Sequence, residues 1–158
     1  MSQHLLKFTL TSPDQTAALA ARLGMLLHDG DTLLLEGPIG AGKTHFARSL
    51  IQSRMEVVED VPSPTFTLVQ TYDLPDTEIW HADLYRLSGP QEVVELGLSD
   101  AFDTAICLVE WPDRLGALKP AKALTLTLSQ GETNDMRELI LTWDAPSWDA
   151  RLKGLSHD

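Results

Sequence analysis

The sequence predicts an α/β fold: a single domain built on a central mixed sheet, parallel at its core, extended by antiparallel strands and flanked by helices. Three observations point there. Residues 32–36 and 105–110 are short apolar runs, the pattern of strands buried on both faces. Helical patterns lie between strands, as crossovers in a parallel sheet require. Two pairs of strand-like segments, 67–72 with 78–83 and 124–128 with 138–143, each flank a short turn-rich stretch and read as antiparallel additions. The chain has 158 residues, 43% hydrophobic and 22% charged, which suits one globular domain over 1–158.

Each element has a local reason. Residues 5–10 read as a strand. Ser12-Pro13-Asp14-Gln15 then opens a helix, with Ser12 as N-cap, proline at the first helical position and Gln15 closing a capping box. Leu19, Ala20, Leu23, Leu26 and Leu27 follow at helical spacing, and Asp29-Gly30 is expected to end the helix. After strand 32–36 come a glycine-rich loop and a second helix, roughly 43–54. Pro62 and Pro64 forbid helix over 59–65, so that stretch is an extended loop. Segments 67–72 and 78–83 form a hairpin about 73–77. Pro90 opens a helix over 90–96, whose crossover makes 105–110 parallel to 78–83. The pair 124–128 and 138–143 turns around 131–135, and 145–158 reads as a loose tail.

Composition narrows the function. No apolar run approaches a membrane span, and residues 1–4 have no basic, apolar leader character. A lone cysteine, Cys107, points to a reducing, cytoplasmic setting and, within its apolar strand, to a buried inert thiol. Twelve Lys+Arg against 23 Asp+Glu give a net charge of −11, which argues against strong direct nucleic-acid binding. From Glu92 to Asp113 there are acids at 92, 95, 100, 103, 110 and 113 and no Lys or Arg. That stretch reads as a solvated face or as an acidic docking surface for a basic partner.

Gly37-Pro38-Ile39-Gly40-Ala41-Gly42-Lys43-Thr44 matches G-x-x-x-x-G-K-[ST] in full, and it follows a buried strand and opens a helix. Glycine lets the main chain approach phosphates closely. Successive N–H groups at a helix N-terminus make an anion nest. Lys43 supplies charge to the β- and γ-phosphates, and Thr44 offers a hydroxyl to Mg²⁺. Gly37, Gly40, Ala41, Gly42, Lys43, Thr44, His45 and Trp111 form the candidate nucleotide-binding set.

Asp83 and Glu110 each end a strand. If both strands run parallel to 32–36, both carboxylates open onto the sheet edge that carries the glycine loop. With Thr44 they form the candidate metal set; either acid could hold Mg²⁺ directly or through water. Thr65, in the loop after the second helix, stands where nucleotide switches place a threonine that senses the γ-phosphate. Lys43, Glu110 and Thr65 are the candidate catalytic set. Trp111 reads as a pocket wall, a partner contact or a core residue. His45 and His81 read as supporting groups about the site or as structural histidines.

Five segments together resemble one family: the loop at 37–44, Ser-Pro-Thr-Phe-Thr-Leu-Val at 63–69, His-Ala-Asp-Leu-Tyr-Arg-Leu at 81–87, Glu-Leu-Gly-Leu at 95–98 and Val-Glu-Trp-Pro-Asp-Arg-Leu at 109–115. They occur in the order seen in the TsaE (YjeE) family of small bacterial P-loop ATPases. The resemblance implies a P-loop NTPase-like fold, ATP and Mg²⁺ as ligands, and a part in making threonylcarbamoyladenosine beside the tRNA anticodon. It also implies partners resembling TsaD, which performs the transfer, and TsaB. It places Lys43 and Thr44 on phosphate and Mg²⁺, Thr65 on the switch loop and Asp83 on the Walker-B-like acid. Glu110 falls on a metal- or water-positioning acid, and Trp111 on the family tryptophan. Pro38-Ile39 stands where the family usually carries Asp-Leu. The expected activity is Mg-dependent ATP hydrolysis, weak without partners, since no obvious arginine finger is present and Arg86 and Arg114 are no more than candidates. A nucleotide-dependent switch with little hydrolysis is the alternative reading. A small-molecule kinase fits less well, lacking an arginine-rich lid, and a GTPase lacks an Asn-Lys-x-Asp motif.

Overall fold

A computed structural model describes residues 4–64 and 67–155. In chain order it contains β1 (His4–Leu10), α1 (Pro13–Gly24), β2 (Thr32–Glu36), α2 (Lys43–Ser53), β3 (Val69–Asp73) and β4 (Glu78–Asp83). There follow α3 (Pro90–Glu95), α4 (Leu98–Ala101), β5 (Ile106–Glu110), β6 (Leu124–Gln130), β7 (Arg137–Trp143) and α5 (Ser147–Leu152). The seven strands form one sheet in the order β1-β7-β6-β2-β5-β4-β3. Strands β6, β2, β5 and β4 are mutually parallel, while β3 at one edge and β7 with β1 at the other are antiparallel. This is the predicted mixed α/β sheet. No helix among the described residues is long and apolar enough to cross a membrane.

The two layers of the core follow from strand alternation. Leu33 and Leu35 on β2, with Ile106 and Leu108 on β5, join the α1 and α2 side, where Phe46, Leu50 and Ile51 are fully buried. Leu34, Cys107 and Val109 point the other way, toward Val93 of α3 and Leu98 of α4. Both faces of β2 and β5 are therefore covered, which explains their unbroken apolar sequences.

The structure corrects several boundaries. The first helix ends at Gly24, not near Asp29-Gly30. Its final carbonyls are taken by a side chain from α2's end: Arg54 Nη1 donates to Gly24 O at 2.6 Å and Leu27 O at 2.9 Å. Its Ser12 N-cap stands as expected, accepting from the Gln15 amide at 3.2 Å, while Gln15 Oε1 accepts from the Thr11 amide at 2.7 Å. Strand β3 begins at Val69, two residues late, because Leu68 has φ +71° and breaks the pleat. Helix α4 and a 3-10 segment at Pro112–Leu118 had no counterpart in the expected elements.

The expected loose tail is the largest correction. Residues 147–152 form α5, and Trp148, Leu152 and Leu155 are buried in the core beside α1 and β7. Trp148 Nε1 donates to Lys122 O at 2.7 Å, and the Arg151 guanidinium lies 3.8 Å from its ring centroid. Arg151 also grips Asp31 with two hydrogen bonds, at 2.7 and 3.0 Å. One tryptophan and one bidentate pair thus fasten a segment too short for its hydrophobic spacing to be read. Trp148→Ala should cost about 3–5 kcal/mol of unfolding free energy, the range for removing a large buried aromatic. Urea unfolding monitored by far-UV circular dichroism checks this; an unchanged midpoint would show that the helix is peripheral.

Candidate functional site: a phosphate loop facing two strand-end acids

The parallel arrangement brings the end of β2, with its glycine loop, to the same sheet edge as the ends of β4 and β5. Asp83 and Glu110 are register partners on adjacent strands. A cavity of about 450 Å³ opens at this edge. Its walls are the loop at Pro38, Ile39, Gly40 and Gly42, the first turn of α2 at Lys43, Thr44 and His45, the acids Asp83 and Glu110, and the rings of Tyr85 and Trp111.

The loop's geometry requires glycine at two positions in particular. Gly37 has φ +143°, and a Cβ there would collide with the Leu128 carbonyl on β6. Gly42 is the N-cap of α2 at φ +100°, a left-handed conformation that leaves the helix N-terminus facing the cavity. The amides of the first turn have no intrahelical acceptor, so this end of α2 is a ready anion site.

Lys43 is buried, and its ammonium donates to the carbonyls of Gly37 and Pro38 on the same loop. It lies 3.9 Å from the centroid of the Trp111 ring, a cation–π contact. Burial pushes the Lys43 pKa below its ordinary 10.5, while the charges of Glu110 and then Asp83 pull it back up. The Trp111 backbone sits at φ +58°, and its ring packs against Tyr85 with centroids 4.9 Å apart. Trp111 thus lines the cavity on one side and packs, partly buried, against the second core layer on the other.

Glu110 is the hub on the other side. It is 2% exposed. Its carboxylate accepts from the Thr44 hydroxyl, 2.9 and 3.1 Å to its two oxygens, and from His81 Nε2 at 2.7 Å. A carboxylate only accepts, so Nε2 carries the proton. His81 is fully buried, and its Nδ1 has no hydrogen-bond partner among the described residues. His81 is thus a supporting group that fixes Glu110. Asp83 is 6% exposed and accepts from the Tyr85 amide at 3.0 Å. Thr44, Asp83 and Glu110 form a hard-oxygen set whose chemistry fits Mg²⁺, an ion that takes few protein ligands and completes its shell with phosphate and water. Among the described residues no cluster of three or more His, Cys, Asp or Glu side chains forms a separate metal cage.

The remaining candidates fall as follows. His45 lines the cavity and bonds Pro13 O through Nε2 at 3.1 Å. Gly37 and Ala41 are off the cavity wall: Gly37 abuts β6, and Ala41 is buried in the core with its amide given to Pro38 O at 3.1 Å. Thr65 lies outside the described residues. Pro64 O accepts the Leu68 amide at 2.7 Å, and Leu68 O accepts the Asp83 amide at 2.9 Å, so Leu68 lies beside the end of β4. Arg114 bonds Leu87 O at 2.8 Å and Tyr85 O at 3.2 Å and pairs with Asp113, so it braces the 84–87 turn. The acidic stretch is not uniform: Glu110 is buried in the site, Glu92 caps the Ser88 amide, and Glu95, Asp100, Asp103 and Asp113 are exposed.

Sequence reading missed Tyr85 and Arg137. Tyr85 stands two residues past Asp83, and its 46% exposure was a weak hint available only from the fold. Arg137 begins β7, and its Nε donates to Ala41 O at 3.1 Å. Nothing local to residue 137 signals a contact 96 positions away.

The model of the family described as "Threonylcarbamoyl adenosine biosynthesis protein TsaE" matches residues 10–139. The chain belongs to the TsaE family. A TsaE relative from Rickettsia conorii is 34% identical over 91% of both chains, and one from Bacillus subtilis is 33% identical over 87% of this chain and 85% of its own. Both bear the name tRNA threonylcarbamoyladenosine biosynthesis protein TsaE. The crystal structure of Bacillus subtilis YdiB superposes with a TM-score of 0.78 at 26% identity, covering 99% of this chain and 97% of that one. The cavity therefore belongs to a TsaE chain with a P-loop fold.

Cys107, in the middle of β5, lies on the opposite face of this TsaE sheet from α2 and is fully buried. Burial, and then the charge of Glu78, push its thiol up to about 12. The folded chain thus keeps a proton that the unfolded chain loses near 9.0. That contribution to stability is complete below the unfolded value and falls as pH rises from there toward the folded one. Iodoacetamide at pH 8 should label Cys107 only as fast as the protein unfolds, and mass spectrometry with and without urea checks it. Rapid labelling of the folded chain would contradict the burial.

Proposed function

We propose that this chain is an Mg-dependent ATPase subunit that supports threonylcarbamoyl transfer to the tRNA adenosine beside the anticodon. It would act in the cytoplasm through a partner pair resembling TsaB and TsaD. The observation that carries the reading is the meeting, at one sheet edge, of a complete phosphate loop, Lys43, and the Thr44–Glu110–His81 chain, in a member of the TsaE family.

In this reading the amides at the start of α2 and the Lys43 ammonium hold the β- and γ-phosphates. Thr44, with Asp83 and Glu110, would hold Mg²⁺, which neutralises phosphate charge when bound. Water attacks the γ-phosphorus, the bond to the β-phosphate oxygen breaks, and Lys43 stabilises the charge passing to that oxygen. Glu110, fixed from both sides by Thr44 and His81, is positioned to orient the water or the ion. Tyr85 and Trp111 wall the cavity with apolar surface. Arg114 is committed to the 84–87 turn and offers no finger to the γ-phosphate, which leaves Arg86 as the remaining candidate and fits weak isolated turnover.

That same commitment favours a second reading, in which nucleotide binding alone switches assembly. The primary test is reconstitution with the cognate partner pair and tRNA. Repeated rounds of modification should require this chain and hydrolysable ATP. Multiple rounds in its absence would sink the proposal.

A further inference from the structure

We propose that Arg137 is a positioning residue for the phosphate loop, clamping the loop from behind so that the Gly42 amide faces the cavity. This deepens the reading of the loop as a phosphate site and rests on it. The guanidinium donates to two loop carbonyls, Ala41 O at 3.1 Å and Gly40 O at 3.4 Å. It also donates to two carbonyls of the β6–β7 turn, Asn134 O at 2.6 Å and Met136 O at 2.9 Å.

The consequence follows from peptide geometry. In a trans peptide the C=O and the next N–H point in opposite directions. Holding Ala41 O toward Arg137 therefore turns the Gly42 N–H away from Arg137. Gly42 lines the cavity and Arg137 does not, although a Cβ built on Gly42 would lie 3.8 Å from Arg137 Nε, so the guanidinium approaches this backbone from outside the cavity. The Gly40 carbonyl is held the same way, and the Ala41 amide is turned into the Pro38 O hydrogen bond that closes the loop. Lys43 meanwhile takes Gly37 O and Pro38 O. In this structure the two cations between them hold the loop carbonyls of residues 37, 38, 40 and 41.

The turn that supplies the clamp is itself ordered. Gly131 N donates to Met136 O at 2.8 Å, and Gln130 Nε2 donates to Thr133 O at 2.8 Å and Asn134 O at 3.2 Å. Strand β6 also abuts Gly37 through Leu128 O. The antiparallel β6–β7 pair, which carries none of the chemistry, thus acts as a rigid backstop. A fork of five donors suits this task, and an ammonium cannot reproduce it.

The test uses the full-length chain and the variants Arg137→Gln and Arg137→Lys. In the ligand-free protein, ¹⁵N order parameters at Ala41 and Gly42 should fall from about 0.85 toward 0.6 or below in Arg137→Gln, with those of β2 unchanged. The dissociation constant for MgATP, by calorimetry, should rise about tenfold to a hundredfold, the scale of a misplaced binding group. Arg137→Lys should recover less than half of either change, and the melting temperature should stay within about 2 °C, the low end of the ~2–4 °C that 1 kcal/mol moves a domain of this size. Unchanged loop order in Arg137→Gln overturns the clamp. So does a loosened loop that binds MgATP as before, or a loss of affinity matched by a general fall in stability. If the wild-type chain binds no MgATP, alone or with its partners, the phosphate-site reading fails by itself, and the order parameters still decide whether Arg137 sets the loop.

Discussion

Lys43→Ala should abolish nearly all ATP turnover by the partner-assembled protein, lowering it by about 10²–10³-fold, the scale seen when a group stabilising transition-state charge is removed. The residue is 5% exposed and spans the loop, touching Gly37 O, Pro38 O and the Trp111 face. Burial holds its pKa below the ordinary 10.5, against the pull of Glu110 and Asp83. Alanine removes the charge and leaves the fold's core contacts, since Phe46, Ala47 and Leu50 carry α2 into the sheet. The variant should therefore melt within a few degrees of the wild type. Lys43→Arg should fail as well. A planar guanidinium has a different shape and donor geometry from the compact ammonium that this buried position holds. Phosphate release assays on both variants, with far-UV circular dichroism as the folding control, decide the matter. Undiminished turnover in Lys43→Ala would remove the loop from the chemistry.

Much of the fold was legible because its signals are local. The apolar run at β2, the Ser12-Pro13 start of α1 and the proline-opened α3 each declare themselves within a few residues. The crossover through α3 predicts β4 parallel to β5, whereas β2 joining them in parallel is a condition that only the sheet itself meets, and meeting it carries the two acids to the loop's edge. What escaped is non-local. The early end of α1 is satisfied by Arg54, thirty positions on, which takes the Gly24 carbonyl. Helix α5 exists because Trp148 finds a socket beside α1 and Lys122. Six residues carry too few turns for periodicity to show.

The site divides along the same line. Lys43, Thr44, Asp83 and Glu110 were readable from a motif and two strand ends, and the structure brings them together around one cavity. Gly37 and Ala41 belong to the motif but not to the wall, because Gly37 lies against the Leu128 carbonyl of β6 and Ala41 is buried in the core. The His81–Glu110 bond joins positions on adjacent parallel strands offset by two, a diagonal contact invisible without the register. Arg137 was unreadable for the plainest reason: its function is to touch carbonyls, which carry no sequence signature.

Glu110→Gln separates hydrolysis from switching, and its outcome can be argued from the hydrogen bonds. The side chain is 2% exposed and has donors on both sides, Thr44 Oγ1–H and His81 Nε2–H. Glutamine keeps the shape but brings an amide donor of its own. Its oxygen must face His81, whose Nε2–H needs an acceptor, and its NH₂ then faces the Thr44 hydroxyl, which can accept. The Thr44 hydroxyl proton and the second amide N–H are left to water in the cavity that both residues line, so the variant should fold and should still bind MgATP within about tenfold, since the lost charge is one of several contacts to the triphosphate and ion. Turnover should nevertheless fall by about 10²-fold or more, the contribution of a group that orients or deprotonates the nucleophile. In reconstituted modification the variant should assemble with its partners in the presence of ATP and then stall after about one round per complex, the behaviour expected where hydrolysis resets the assembly. Single-turnover and multiple-turnover modification measured side by side distinguish the readings. If Glu110→Gln hydrolyses no ATP yet sustains many rounds, nucleotide binding alone does the work and the ATPase role is withdrawn.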